Sequence, residues 1–198
     1  MTRELTELNG EVVYGNDIIE ANLSSTRTYL DANGTTTYWK EGDKMGVFTS
    51  EGSANLLFTS PTASEAWTGT FRGSLNGETP KYAYYPYSTR NNGVKETAVK
   101  GNVPQVQTYN QISKDIVGDY RAGVIDQRGW LSSTFTFKRL VSLMRFKVDA
   151  TGSVLEGDRI RSITIKVENQ RQMTGNFTIN LQTQEIDLGE FEQGDDSL

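Results

Sequence analysis

Neither cysteine nor histidine occurs in the chain, and proline occurs only four times. The absence of cysteine excludes a disulfide framework, a thiolate nucleophile and Cys-based zinc sites. It does not fix the compartment, because an oxidising space permits disulfides without requiring them. The absence of histidine removes the commonest general base and the usual transition-metal ligand. Ser-His-Asp, Cys-His and HExxH chemistries go with it, so neither catalysis nor a metal or cofactor is expected. No run of about 18 apolar residues is present to span a membrane as a helix. Twenty basic residues against twenty-five acidic ones leave a net charge of −5, with no basic stripe. Nucleic-acid binding through counterion release needs such a stripe and is not expected. The opening MTRELTELNG lacks the apolar centre of an export signal. That leaves open whether the protein stays inside or the chain begins after a removed signal.

Alternation with period two dominates the rest. Met144, Phe146 and Val148 alternate with Arg145, Lys147 and Asp149. Ile163, Ile165 and Val167 alternate with Ser162, Thr164 and Lys166, and Phe177, Ile179 and Leu181 with Asn176, Thr178 and Asn180. Each predicts a strand with one face in a core and one in water. Further strands are predicted at Lys44–Thr49, Leu56–Thr59, Ala66–Phe71, Lys81–Tyr85, Val124–Ile125 and Ser133–Phe137, where Thr, Val, Ile and aromatics concentrate. Phe137, Leu140, Val141 and Met144 also fall at helical spacing, a weaker alternative beside the β character of Phe135 and Thr136. Asn33-Gly34, Asn76-Gly77, Asn92-Gly93 and Thr151-Gly152-Ser153 punctuate the pattern. Asn-Gly supplies the positive φ values of a two-residue hairpin turn. Many short strands between frequent turns predict an all-β sandwich or barrel with little helix. Residues 86–116 are the least periodic and predict long loops. The expected organisation is a flexible tail over 1–9, one β domain over 10–190, and a polar tail or the start of a further domain over 191–198.

Candidate sites are few. Carboxylates at Glu41/Asp43 and Asp115/Asp119 could in principle form a glycosidase pair, but their turn-like settings read as solvated loop charge. Asp31-Ala32-Asn33-Gly34 lacks the twelve-residue calcium-loop pattern. Tyr82, Tyr84, Tyr85 and Tyr87 crowd one strand, and Trp39, Trp67 and Trp130 add further rings. Aromatic strands of this kind most often build a core capped by tyrosine hydroxyls. The competing reading is a glycan platform formed by Trp67, Trp130, Tyr85 and Tyr87. The glycosylation-like triplets at Asn22, Asn33 and Asn176 carry little information.

Taken in order, Thr26-Arg27-Thr28, the run Trp39-Lys40-Glu41-Gly42-Asp43-Lys44-Met45-Gly46-Val47-Phe48, the tyrosines Tyr82–Tyr87, Val103-Pro104-Gln105, Asp119-Tyr120-Arg121-Ala122-Gly123 and Phe135–Phe146 resemble the N-terminal domain of the Bacteroidales fimbrillin family of pilus subunits. The resemblance covers about residues 10–190. It implies a transthyretin-like Greek-key β-sandwich, usually followed by a second β domain. It also implies export as a lipoprotein to the outer membrane, and a role as a stalk, tip or anchor subunit that joins other pilus subunits by strand addition. A host or microbial surface ligand would be a further partner. Trp39 and Phe48 would be core, while Gly42 and Gly46 would allow a tight turn and close packing. Related subunits assemble when an N-terminal strand is cut away after an arginine. Carried over, that makes Val12–Leu23 the displaceable strand and Arg27 the processing site. Arg139 stands where the family often has histidine, which points to packing or hydrogen bonding at that position. The alternative function is a surface glycan-binding β-sandwich module.

Overall fold

The computed structural model describes residues 15–23, 38–61, 68–108, 117–125, 133–142, 144, 146, 148–166 and 173–188. Their regular structure is all β apart from one helical turn. In chain order the strands are β1 (Asp17–Leu23), β2 (Lys44–Thr49), β3 (Leu56–Thr59), β4 (Thr68–Gly73), β5 (Pro80–Tyr85), β6 (Val99–Val103), β7 (Arg121–Ile125), β8 (Thr134–Arg139), β9 (Gly175–Asn180) and β10 (Glu185–Asp187). The turn is a 3-10 helix at Thr89–Asn91.

Seven strands close on themselves in the order β1-β4-β3-β2-β5-β7-β8, and β10-β9-β6 form a second sheet. The architecture is sandwich-like, with one layer closed into a ring. The ring encloses the first core, in which Ile19, Ala21, Leu23, Trp39, Met45, Val47, Phe58, Phe71, Phe135 and Phe137 are buried. A second core lies between ring and sheet and joins Phe48, Tyr84 and Ala122 to Val99, Phe177, Ile179 and Leu181. This explains two burial patterns. β4 alternates exposed and buried at every residue, as expected of a strand with one wet face. β2 is buried at every position after Lys44, because Met45 and Val47 enter the first core while Phe48 enters the second.

Most predicted strands recur with shifts of a residue or two. Phe137 lies inside β8, so the helical spacing there is incidental. The sequence Lys100-Gly101-Asn102 carries little β propensity, and this hid β6 inside the stretch read as loops. The strands predicted at Met144–Val148 and Ile163–Val167 are corrections. Met144, Phe146, Val148, Ile163 and Ile165 are exposed, and no described residue of either segment belongs to a strand. The physical reason is occupancy. β8 already has β7 on one side and β1 on the other, so a following strand finds no vacant margin in the ring. Val167 lies outside the described residues.

Turn chemistry is mixed. Asn76 and Gly77 both have positive φ, 55° and 82°, and Glu78 N–H donates to Leu75 C=O at 3.0 Å, the backbone form the sequence predicted. The turn joins β4 to β5, however, which pair with other strands, so it closes no hairpin. At Asn92-Gly93 only the glycine is left-handed, with φ of −63° and 73°. That pair therefore makes a type II turn, not the hairpin turn its sequence suggested. Asn33-Gly34 lies outside the described residues.

Candidate functional site: the first strand and the charged core beside it

The sequence Asp17-Ile18-Ile19-Glu20-Ala21-Asn22-Leu23 alternates, and Ile19, Ala21 and Leu23 face inward. β1 pairs antiparallel with β4 from Asp17 to Asn22 and parallel with β8 from Glu20 to Leu23. All other ladders among the described residues are antiparallel. β1 is the strand that closes the ring. Without it, β4 and β8 would both become open margins over a groove containing Phe71, Phe135, Phe137 and Trp39. Burial of Ile19 and Leu23 contributes roughly 1.5–3 kcal/mol each. Polar ties add to this: the Trp39 indole N–H donates to Ala21 C=O at 2.9 Å, and the Leu75 N–H donates to Asp17 Oδ2 at 2.7 Å.

Beside this groove lies a cluster of buried charge. Asp119 Oδ2 accepts from Arg121 Nη2 at 2.6 Å, and Asp119 Oδ1 from Arg139 Nε at 2.6 Å. The Arg121 side chain is fully buried, and its guanidinium lies 5.8 Å from the centre of the Trp39 ring. Burial pulls the Arg121 guanidinium below its ordinary value, against the attraction of Asp119. The Tyr85 hydroxyl donates to Asp43 Oδ1 at 3.1 Å. Burial pushes this phenol well above its usual value, and the nearby charges of Asp43 and Asp119 push it the same way. Asp43 also closes the turn before β2, accepting from the Lys40 N–H at 2.8 Å.

Two expectations about these residues change. Asp43 and Asp119 are not solvated loop charges: they are 5% and 2% exposed and spend their oxygens on internal donors. Arg121 drew notice in the sequence only as part of the run Asp119–Gly123, with no role of its own. The available signal was a lone cation inside the otherwise apolar strand Arg121-Ala122-Gly123-Val124-Ile125, with Asp119 two residues earlier. Arg139 does have a hydrogen-bonding role, through Asp119. Trp39 and Phe48 are core residues. Gly42 has φ of +83°, while a Cβ on Gly46 would lie 2.2 Å from Tyr84 Cε1, so the turn and the close packing both exist.

Of the glycan-platform aromatics, Tyr85 packs its ring edge-on against Trp39 with centroids 5.3 Å apart. Tyr87 is half-buried, and its N–H donates to Lys44 C=O at 2.9 Å. Arg27, Trp67, Trp130 and Asp115 lie outside the described residues, as do Val12 and Val13. A separate cleft of about 530 Å³ is lined by Arg90, Lys100, Asn102, Tyr120, Asn176 and Asp187, among others. Its two amides bond to each other, Asn102 Nδ2 to Asn176 Oδ1 at 2.8 Å.

Neither curated proteins nor solved structures provide a match to this sequence. The family model described as fimbrillin-like matches residues 26–195, a span that begins just after β1 and takes in β2 to β10 together with the charged core. By that match, the chain belongs to the fimbrillin family.

Proposed function

We propose that the chain is a non-catalytic structural or adhesive subunit of a pilus or fimbria, held at the outer membrane, which assembles by strand addition with β1 as the strand that is exchanged. Family membership carries the subunit part of this reading. The observation that carries the assembly part is the position of β1. It is the first described strand, it completes the ring alone, and its seat is an apolar groove flanked by two strand margins. A groove of that kind offers backbone groups and side-chain pockets that an alternating strand from a neighbour satisfies in the same way. Arg27 follows Leu23 by four residues, so cleavage there would sever β1 from the rest of the ring. The cost of losing the buried Ile19 and Leu23 means that β1 leaves only when another strand replaces it. Tyr85, engaged with Trp39 and Asp43, does not favour the glycan-platform alternative.

The test is strand exchange on the purified chain. Limited trypsin digestion is expected to cut after Arg27, and in the exposed arm at Arg159 and Arg161, before it reaches the strands of the ring. The cut chain, but not the intact one, is expected to take up a labelled peptide of residues 12–23. Cleavage within the ring first, or a cut chain that ignores the peptide, would rule the assembly route out.

A further inference from the structure

Residues 148–166 leave the ring as an arm that closes on itself only through turns. Ser153 N–H donates to Ala150 C=O, Glu156 N–H to Ser153 C=O and Asp158 N–H to Leu155 C=O, at 3.0–3.1 Å. Beyond Asp158 the backbone of 159–166 runs without a ladder partner among the described residues. Its side chains are all exposed, including Ile160 at 58%. Arg159 and Arg161 flank Ile160 and form no ion pair among the described residues. An alternating segment outside the ladders of the described residues, with an apolar side chain in water, calls for the margin of a sheet.

The fold restricts which margin that can be. The seven-stranded ring is closed and has none. Among the described residues the second sheet has two, β6 and β10. The outer side of β6 is sealed by side chains. Asn91 donates to Lys100 C=O at 3.1 Å and accepts from Lys100 N–H at 2.8 Å, and the Tyr120 hydroxyl accepts from Asn102 N–H at 3.0 Å. Lys100 would also repel the two arginines. β10 carries the complementary charge: Glu185 and Asp187 are exposed on either side of the half-buried Ile186, which packs against the second core.

We propose that residues 159–161 of one copy add as a strand to the outer margin of β10 in a second copy. Arg-Ile-Arg then faces Glu-Ile-Asp. With Ile160 opposite Ile186, either strand direction sets the arginines opposite Glu185 and Asp187, so both cross-strand pairs are of opposite charge and the isoleucines share the inner face. Within one chain the two segments do not pair. The contact joins different surfaces of the two copies, so it is head-to-tail and propagates into an open chain. The proposal rests on the subunit reading for its purpose and is independent of β1 exchange. Association is read on the uncut chain and strand exchange on the cut one, so either can fail while the other stands.

Sedimentation velocity on the intact chain tests it. The wild type is expected to associate in a concentration-dependent series that weakens with salt, because exposed charge pairs are screened. R159E/R161E and E185R/D187R are each expected to weaken association by about tenfold or more, the first with unchanged melting of the monomer. Mixing the two variants is expected to restore it, since each reversed surface then meets its opposite. R159E/R161E lies outside every ladder, so it tests the contact even where the β10 variant fails to fold. A chain that stays monomeric at its highest soluble concentration overturns the proposal, as does association unaffected by R159E/R161E.

Discussion

The indole N–H of Trp39 donates to the main-chain carbonyl of Ala21 across 2.9 Å, fastening a fully buried tryptophan to the strand that closes the ring. Room for that ring is made on β4, where a Cβ added to Gly69 would lie 2.3 Å from Trp39 Cδ1. Gly69→Ala is therefore expected to destabilise the fold by about 1–3 kcal/mol through overpacking. Trp39→Phe is expected to cost about 1–3 kcal/mol or more, because the Ala21 carbonyl loses its buried donor. Trp39→Ala removes the Cγ and Cδ1 that would crowd a Cβ on Gly69, whereas phenylalanine keeps them, so Gly69→Ala combined with Trp39→Ala should cost less than the sum of those two singles. Urea denaturation of these variants measures this, and simple additivity would show that Gly69 and Trp39 are not coupled.

Asp119 holds two arginines at once, Arg121 and Arg139, at 2.6 Å each. Removing its charge leaves the fully buried Arg121 guanidinium short of its anion, and breaking a buried pair typically costs about 3–5 kcal/mol. Asp119→Asn is expected to fall in that range. Arg139→Met is expected to cost clearly less, because the Arg139 side chain is 11% exposed and Asp119 keeps Arg121. The order is what matters: equal losses in thermal or chemical melts would mean that the cluster does not pivot on Asp119.

The legible and illegible parts of this fold divide along physical lines. Strands with one wet face, such as Thr68–Gly73 and Thr134–Arg139, print their alternation directly into the sequence, so their existence could be read. β6 could not, because Gly101 and Asn102 are held in a strand by tertiary pairing with Phe177 and Asn176, which no local preference records. The segments around Phe146 and Ile163 show the reverse case: their alternation is as clear as any, yet none of their described residues belongs to a ladder. Periodicity reports that a strand face needs a partner, without saying which margin is vacant. The buried charges were illegible for a different reason. Asp43 and Asp119 sit beside turns, where carboxylates are usually solvated, and only the three-dimensional approach of Tyr85, Arg121 and Arg139 brings them inside.

Alkaline pH provides a third test. Burial raises the Tyr85 phenol well above its ordinary value, with further contributions from Asp43 and Asp119. Burial raises Tyr84 as well. A group whose folded value exceeds its unfolded one contributes stability that is complete below the unfolded value and lost as pH rises through the folded one. This contribution to stability is thus expected to hold up to about pH 10, the ordinary phenol value, and to decline above it. Tyr85→Phe is expected to lower stability at neutral pH, through loss of the bond to Asp43, and to flatten the alkaline decline. An alkaline limb of the same slope in wild type and variant, followed by melting together with phenolate absorbance, would assign the effect elsewhere.

Asn91 is the residue that keeps β6 from acting as an open margin, and its two bonds to Lys100 make that claim separable into parts. Asn91 is fully buried, so Asn91→Ala strips a donor and an acceptor from Lys100 without admitting bulk water freely. A loss of about 1–3 kcal/mol is expected, with faster hydrogen exchange at the Lys100 amide and greater aggregation on mild heating, since an unsealed margin is a template for pairing. Asn91→Asp separates the two bonds. It still accepts from the Lys100 N–H, but at neutral pH it buries a carboxylate against the Lys100 carbonyl, which it can no longer satisfy. It is therefore expected to be worse than alanine at neutral pH. Burial raises the folded value of the new carboxyl above its unfolded one, so the penalty should shrink as pH falls through the folded value and a protonated acid donates to the carbonyl again. Melting curves of both variants between about pH 4 and 8 span the ordinary carboxylate value and the range above it. If Asn91→Asp tracks Asn91→Ala at every pH, neither bond to Lys100 contributes, and the seal on β6 rests on Tyr120 alone.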